Sequence, residues 1–144
     1  MRPAMPVGPD NNSMKVILVE DNPLVCEQVT RTLQAIPGAR VVKVAGTEPQ
    51  ASEWLSAHPD GWDLALVDLF LGQGHGFDVL RHCRTRRPDQ KAVVLSNYTR
   101  DPVRQYAREA GADAVFDKSF DMDALVEYLV QFSLARQGAP AGSP

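Results

Sequence analysis

Carboxylates, a hydroxyl and an ammonium group stand at the ends of successive apolar runs in this chain. Glu20 and Asp21 end the first run, and Asp68 ends the third. Ser96 ends the fourth run, and Lys118 follows the fifth. Three crowded carboxylates repel one another, and a hard divalent cation relieves that repulsion, because an oxygen-only ligand set suits Mg²⁺. The residue types therefore indicate a Mg²⁺ site with a cation and a hydroxyl beside it.

The same side chains suit phosphoryl transfer onto a carboxylate, with Asp68 as the nucleophile. Lys118 would partly neutralise the carboxylates and then pair with an incoming phosphoryl group as a point charge. Ser96 can donate one hydrogen bond to a phosphoryl oxygen. The sequence offers no apparent serine–histidine or cysteine–histidine arrangement, so acyl transfer is poorly supported. Positioning and charge neutralisation account for most of the catalysis in phosphoryl transfer, which is the chemistry that this set favours.

Five apolar runs of strand length must position these residues: KVILVE (15–20), RVVKVA (40–45), DLALVD (63–68), KAVVLS (91–96) and ADAVFD (112–117). They are rich in Val, Leu and Ala and mostly lack alternation, which is typical of strands covered on both faces of a parallel sheet. Ligands bind beyond the carboxyl ends of the strands in such a sheet. We therefore expect the polar strand ends to meet at one edge.

Amphipathic segments separate the runs and are predicted to be helices. Their limits are marked by Asn22–Pro23 and Pro37–Gly38, by Thr47 and Pro59, by Phe77 and Pro88, by Asp101–Pro102 and Gly111, and by Asp121 for the last. A βα unit repeated five times predicts an α/β fold with right-handed crossovers and helices on both faces of the sheet.

Length and composition restrict the possible functions. The 144 residues suffice for one domain, and a net charge of −3 gives no electrostatic case for nucleic acid or anionic membrane as the main partner. The apolar runs are too short to span a bilayer, and two cysteines in helical segments indicate a reducing cytoplasm rather than a disulfide framework. Residues 1–13 and 137–144 are rich in Pro and Gly, so we expect a disordered leader and a flexible tail around a domain at 14–136.

Four motifs contain these residues, in order along the chain: VEDN (19–22), LVDLFL (66–71) leading to Gly76, VVLSN (93–97) and GADAVFDKS (111–119). Together they resemble the motifs of response-regulator receiver domains, the phosphoacceptors of two-component signalling. Their order and spacing extend the resemblance over about residues 14–135. The resemblance implies a flavodoxin-like (βα)5 three-layer fold with sheet order 2-1-3-4-5. It also implies a signalling protein that is no enzyme beyond self-phosphorylation and self-dephosphorylation.

The resemblance also implies a role for each site residue. Asp68 would accept a phosphoryl group from a phosphohistidine on a sensor histidine kinase or a histidine phosphotransfer protein. Asp21 would bind Mg²⁺ directly, Glu20 would contribute to the same site, and the backbone carbonyl of Phe70 would complete the protein ligands. The hydroxyl of Ser96 and the ammonium of Lys118 would contact the phosphoryl oxygens. The kinase would dock on the first helix, and the fourth helix, fifth strand and fifth helix would form a dimer or output surface.

Three positions near the site depart from the commoner family pattern. Ser119 stands where many receivers have a proline with a cis peptide bond, and a non-proline cis bond costs about 2.5–4 kcal/mol, so we expect a trans bond. Gly72 replaces a frequent proline and predicts a flexible loop after Asp68. Asn97 is larger than the usual residue after Ser96 and is predicted to narrow access to the phosphoryl site.

A fourth departure concerns the aromatic switch of the family, which lies three positions before the lysine. That position is Val115, and the adjacent Phe116 faces the opposite side of the sheet, so it cannot substitute directly. The chain therefore lacks the aromatic side chain by which the family transmits a signal from the site to the surface. Tyr98 or Tyr106 would be candidates to take part instead.

Two other functions remain open from the sequence. One is a receiver-like interaction module that signals without phosphorylation. The other is a Mg²⁺-dependent phosphatase with an aspartyl-phosphate intermediate, but Phe70 stands where such enzymes commonly place a second aspartate. A run of basic residues, Arg81, Arg84, Arg86 and Arg87, is interpreted as a solvated helix face. We expect no output domain in this chain, no direct nucleic-acid contact and no membrane contact.

Overall fold

Five parallel strands form one sheet that lies between two layers of helices. A computed structural model describes residues 13–138. The strands are β1 (Met14–Val19), β2 (Ala39–Ala45), β3 (Leu64–Val67), β4 (Lys91–Ser96) and β5 (Ala114–Asp117), and the helices are α1 (Pro23–Gln34), α2 (Glu48–Ala57), α3 (Gly76–His82), α4 (Val103–Glu109) and α5 (Met122–Gly138). The strand order is β2-β1-β3-β4-β5, which confirms the predicted flavodoxin-like fold and sheet order.

Burial along the strands follows their place in the sheet. All four residues of β3 are buried, and the central strands β1 and β4 are buried at every position except Lys15 and Lys91. The edge strand β2 differs, because Arg40 and Val44 are exposed. The prediction of strands covered on both faces thus holds fully for the centre of the sheet, whereas the two faces of β2 are covered only in part.

Two apolar clusters hold the helical layers against the sheet. One joins side chains of α2, α3 and α4 to one face of the sheet, and Trp62 is buried in it while Trp54 packs against it. The other joins α1 and α5 to the opposite face through residues such as Leu33, Leu66 and Leu129. Both tryptophans therefore contribute to packing. Within residues 13–138, no helix is long and apolar enough to cross a membrane.

Side-chain caps fix the starts of two helices that leave the carboxyl edge of the sheet. The Asn22 side chain accepts hydrogen bonds from the backbone N–H groups of Leu24 (2.9 Å) and Val25 (3.3 Å). Thr47 Oγ1 accepts one from Gln50 N at 3.2 Å. Such caps satisfy backbone donors that have no partner within the helix. Both predicted helix starts are confirmed.

The end of α3 was predicted too far along the chain. The helix ends at His82, and the chain then turns, so three of the four arginines lie beyond it: Arg84, Arg86 and Arg87. Arg86 donates to Cys83 O (2.8 Å), Gly111 O (2.7 Å) and Asp113 Oδ2 (2.8 Å). The interpretation of this run as a solvated helix face is therefore wrong for Arg86, whose guanidinium ties the turn to the start of β5.

The remaining predictions about the backbone have separate outcomes. Residues 1–12 of the predicted leader and residues 139–144 of the predicted tail lie outside the described residues. Within the described part of the chain, the cis peptide bond is Asp101–Pro102, and the Lys118–Ser119 bond is trans.

Candidate functional site

Lys118 joins two carboxylates that lie far from it in the sequence. Its Nζ atom lies 2.6 Å from Glu20 Oε1 and 3.2 Å from Asp68 Oδ2. Val19 of β1 pairs with Val67 of β3, so the next residues, Glu20 and Asp68, leave the sheet side by side. The structure thus brings the predicted strand-end residues together at the carboxyl edge.

The three carboxylates form one oxygen cluster. Glu20, Asp21 and Asp68 each offer an oxygen, and these oxygens all lie within 4.8 Å of one another. Glu20 and Asp68 are only 3% and 7% exposed, whereas Asp21 faces solvent. A donor set of carboxylate oxygens with one side open to water has the chemistry that Mg²⁺ prefers, because this ion usually retains several water ligands. The residues present therefore fit the predicted metal.

Burial and charge shape the protonation of the site. Burial raises the pKa of Glu20 and the charge of Asp68 adds to this, while the hydrogen bonds from Lys118 and from the Asn22 backbone oppose it. Burial alone would lower the pKa of Lys118, but its hydrogen bond to Glu20 and the charges of Asp68 and Glu20 outweigh that effect and raise it. Lys118 is therefore cationic at neutral pH and provides one positive charge against three carboxylates.

Glycines allow the backbone to approach Asp68 closely. Asp68 N donates to Val19 O at 2.9 Å, and Asp68 Oδ1 accepts from Phe70 N at 3.4 Å. Gly76 N donates to Leu69 O at 2.8 Å, and a Cβ atom at Gly76 would lie 2.2 Å from Asp68 O. Gly76 is therefore required by the loop that holds Asp68, a reason that the sequence motif alone does not provide.

The loop after Asp68 has defined contacts. Phe70 and His75 form an antiparallel bridge, and Gln73 O accepts from Glu48 N at 3.0 Å. A Cβ atom at Gly72 would lie 2.9 Å from Asp21 Oδ2. A side chain at this position would thus displace the Asp21 carboxylate. The flexibility predicted for this loop, and the Phe70 carbonyl as a metal ligand, remain predictions.

Ser96 lies at the same edge, next to Lys118. Its side chain is fully buried, and Ser96 Oγ accepts from Tyr98 N at 3.1 Å. Lys118 N donates to Ser96 O at 3.0 Å, which places the backbones of these two residues side by side. In this contact the Ser96 hydroxyl oxygen is the acceptor, so the hydroxyl proton can still be donated to another group. Asn97, the next residue, is exposed.

The position of the missing aromatic switch is filled by an aliphatic side chain. Val115 is 4% exposed and belongs to the cluster under α2, α3 and α4. Phe116 belongs to the opposite cluster and contacts the Tyr128 ring of α5, with centroids 5.5 Å apart. The two residues face opposite sides of the sheet, as predicted. Tyr98 and Tyr106 are both exposed.

Sequence reasoning missed three polar residues beside the site. Thr99 Oγ1 donates to Asp117 Oδ2 at 3.1 Å, and Arg104 contacts the backbone of both Thr99 and Val115. Asp117 ends the fifth apolar run, directly before Lys118. Its position at a strand end was the available signal, whereas nothing local marks Thr99 or Arg104 as its neighbours.

Comparisons with known proteins agree with this architecture. The family profile of the response regulator receiver domain matches residues 16–130. The DNA-binding transcriptional activator DevR/DosR of Mycobacterium tuberculosis is 34% identical over 69% of this chain and 45% of its own length. The transcriptional regulatory protein DegU of Brevibacillus brevis is 27% identical over 82% of this chain and 49% of its own length. The chain thus spans about half the length of these relatives.

Solved structures give the same result. A two-component response regulator of the LuxR family from Aurantimonas sp. SI85-9A1 superposes with a TM-score of 0.74 at 26% identity, covering 86% of this chain and 87% of that one. The signal receiver domain of a NarL response regulator from Mycobacterium tuberculosis has the same fold, with a TM-score of 0.72 at 23% identity and coverage of 85% and 97%. The chain therefore belongs to the response regulator receiver domain family.

Proposed function

We propose that this receiver domain accepts a phosphoryl group on Asp68 and changes its surface in response. The observation that carries the proposal is the bridge that Lys118 makes between Glu20 and Asp68 at the edge of the sheet. A buried ammonium held against the nucleophilic carboxylate is placed to pair with phosphoryl oxygens as charge develops on them. The carboxylate cluster fits Mg²⁺, which would neutralise phosphoryl charge when bound.

The proposed step exchanges one bond to phosphorus for another. An Asp68 carboxylate oxygen attacks the phosphorus of a phosphohistidine, the P–O bond forms, and the P–N bond breaks with its electron pair returning to the imidazole nitrogen. Lys118 pairs with one phosphoryl oxygen, and the Ser96 hydroxyl donates to another. Attack of water on the same phosphorus later breaks the P–O bond, releases inorganic phosphate and restores the Asp68 carboxylate.

Within this proposal, the metal would be held by the carboxylates of Glu20, Asp21 and Asp68, and the backbone carbonyl of Phe70 would be a further ligand. The phosphodonor would be a sensor histidine kinase or a histidine phosphotransfer protein that docks on the start of α1, beside Asp21. The surface formed by α4, β5 and α5 would serve as an output or dimer surface. The cytoplasm, where such kinases present their phosphohistidine, would be the site of the reaction.

Intact-mass measurement tests the proposal directly. The protein is incubated with Mg²⁺ and a small-molecule phosphodonor such as acetyl phosphate, beside Asp68→Ala and the matched control Asp123→Ala on the exposed start of α5. We expect one phosphoryl adduct, stable in acid and labile in base, in the wild type and the control and none in Asp68→Ala. An adduct that persists in Asp68→Ala would contradict the assignment of the acceptor.

Val115 supports a second candidate, an interaction module that signals without phosphorylation, since the usual aromatic coupling residue is missing. The same experiment separates the two functions. Absence of an adduct in the wild type with every donor and with Mg²⁺ would favour the interaction module. Continuous phosphate release at many turnovers per second would instead favour a phosphatase.

A further inference from the structure

A side-chain hydrogen bond joins the two loops that carry the proposed phosphoryl contacts. Thr99 lies in the loop after β4, three residues beyond Ser96, and Asp117 is the last residue of β5, directly before Lys118. Thr99 Oγ1 donates to Asp117 Oδ2 at 3.1 Å. A displacement of either loop must therefore stretch this bond or move the other loop with it.

The second oxygen of Asp117 shapes the turn that follows Lys118. Asp117 Oδ1 accepts from Ser119 N at 2.7 Å and from Phe120 N at 3.2 Å. The Ser119 backbone bond lowers the pKa of Asp117 most, and the hydrogen bonds from Thr99 and Phe120 and the Arg104 charge act in the same direction against a smaller effect of burial. Asp117 is thus an ionised acceptor shared between the two loops.

Arg104 extends the contact to α4. Its Nε atom donates to Thr99 O at 3.1 Å, and its Nη1 atom donates to Val115 O at 3.1 Å. A planar guanidinium making two bonds holds its partners in a fixed relative geometry. The first turn of α4 is therefore attached both to the loop after Ser96 and to the strand position that lacks the aromatic ring.

We infer that a cluster of three polar side chains transmits the phosphorylation state of the site to α4. This cluster, here called the clasp, consists of Thr99, Asp117 and Arg104. The inference rests on the proposed function. Ser96 Oγ accepts a hydrogen bond from Tyr98 N. A shift of Ser96 toward a phosphoryl group would therefore pull on the backbone of Tyr98, the residue before Thr99. The aliphatic Val115 has no ring to rotate, and the clasp supplies a polar connection along the same face of β5.

Removal of one hydroxyl tests the clasp while the acceptor site stays intact. Thr99→Val is nearly isosteric and deletes the donor to Asp117, whereas Thr99→Ser keeps it. Thr32→Val is the matched control, because Thr32 Oγ1 donates to Gln28 O within α1, away from the clasp. Each variant is studied with Mg²⁺, with and without a small-molecule phosphodonor, by intact mass and by hydrogen exchange of the α4 amides.

We expect the phosphoryl adduct in every variant. In the wild type, Thr99→Ser and Thr32→Val, phosphorylation should change α4 exchange rates by about fivefold or more, the lower end of typical coupling between sites. In Thr99→Val this change should fall to less than half of the wild-type value. Arg104→Lys, which loses the planar guanidinium that holds both carbonyls in a fixed geometry, should show the same loss and provides a second variant.

The two proposals fail in different ways. If the wild type forms no adduct on Asp68, the proposed function is wrong. If the adduct forms and α4 responds equally in the wild type, Thr99→Val and Arg104→Lys, the clasp does not transmit the signal. Loss of the response in the Thr32→Val control as well would also overturn the inference, because the effect would then not be specific to the clasp.

Discussion

Lys118 is placed where two buried carboxylates need a counter-charge. With Glu20 Oε1 at 2.6 Å and Asp68 Oδ2 at 3.2 Å, its ammonium offsets part of their repulsion in the absence of metal. Lys118→Met keeps most of the side-chain volume but removes the charge and leaves both carboxylates without this partner. We expect the free energy of unfolding in EDTA to fall by about 2 kcal/mol, as for other buried polar groups left unpaired.

Urea unfolding with and without Mg²⁺ measures this effect. Because Mg²⁺ would also neutralise the carboxylates, the deficit of Lys118→Met should shrink when the metal is added. Lys43→Met on the edge strand β2 is the control and should show no metal-dependent difference from the wild type. A deficit that stays the same with saturating Mg²⁺ would show that the lysine and the metal do not act on the same charges.

The raised pKa of Glu20 predicts a specific pH dependence of stability. Burial raises this pKa above its ordinary value of 4.5. Just above pH 4.5, the Glu20 carboxyl therefore binds a proton more strongly in the folded protein than in the unfolded chain. The contribution of Glu20 to the free energy of unfolding therefore falls as the pH rises above about 4.5. Glu20→Gln removes this titration. In EDTA, the stability of the wild type relative to Glu20→Gln should decrease across that pH range, and an increase would contradict the prediction.

At the scale of the elements, the loop between β3 and α3 determines whether Asp68 is held correctly. A Cβ atom at Gly76 would lie 2.2 Å from Asp68 O and 2.9 Å from Leu69 Cα, and neither backbone atom can move without displacing Asp68 or its neighbour. Gly76→Ala should cost about 3 kcal/mol of stability, at the upper end of overpacking effects, and should slow adduct formation.

Gly46→Ala provides the control for this loop. The nearest atoms to its added Cβ lie 3.9 Å away, at ordinary contact distance. We expect a change within about 0.5 kcal/mol and an unchanged rate of adduct formation. Stability is measured by thermal unfolding and the rate of adduct formation by intact mass, on both variants. Equal losses of stability and rate in Gly76→Ala and Gly46→Ala would refute the steric argument.

Element boundaries were predictable from sequence where their causes are local. Asn22 and Thr47 cap helices through residues two or three positions away, and the strand ends follow directly from where the apolar runs stop. The end of α3 was not predictable in this way. The Arg86 guanidinium is hydrogen-bonded to Gly111 O and Asp113 Oδ2, which lie 25 and 27 residues further along the chain. Nothing near Arg86 in the sequence indicates these partners.

At the scale of the whole molecule, the two edges of the sheet hold different sets of charged residues. The carboxyl edge was predictable, because parallel strands must deliver their last residues to one side. The opposite edge holds an ion-pair network around Asp63, whose side chain is 4% exposed and whose Oδ1 atom lies 3.0 Å from Arg136 Nη2 of α5. Asp63 and Arg136 lie far apart in the sequence and each is an ordinary charged residue by itself, so no pattern indicated their contact.

This separation predicts opposite outcomes for two aspartates. Asp63 Oδ2 also accepts from Lys15 N at 2.8 Å, so Asp63→Asn weakens a buried pair that joins β1, β3 and α5. We expect a loss of about 3 kcal/mol in the free energy of unfolding, with the phosphoryl adduct retained. Asp68→Asn removes one of three crowded carboxylates and should abolish the adduct without lowering stability. Both variants are tested by urea unfolding in EDTA and by intact mass after incubation with Mg²⁺ and phosphodonor. Loss of the adduct in a folded Asp63→Asn would contradict the prediction. A lower stability of Asp68→Asn than of Asp63→Asn would contradict it as well.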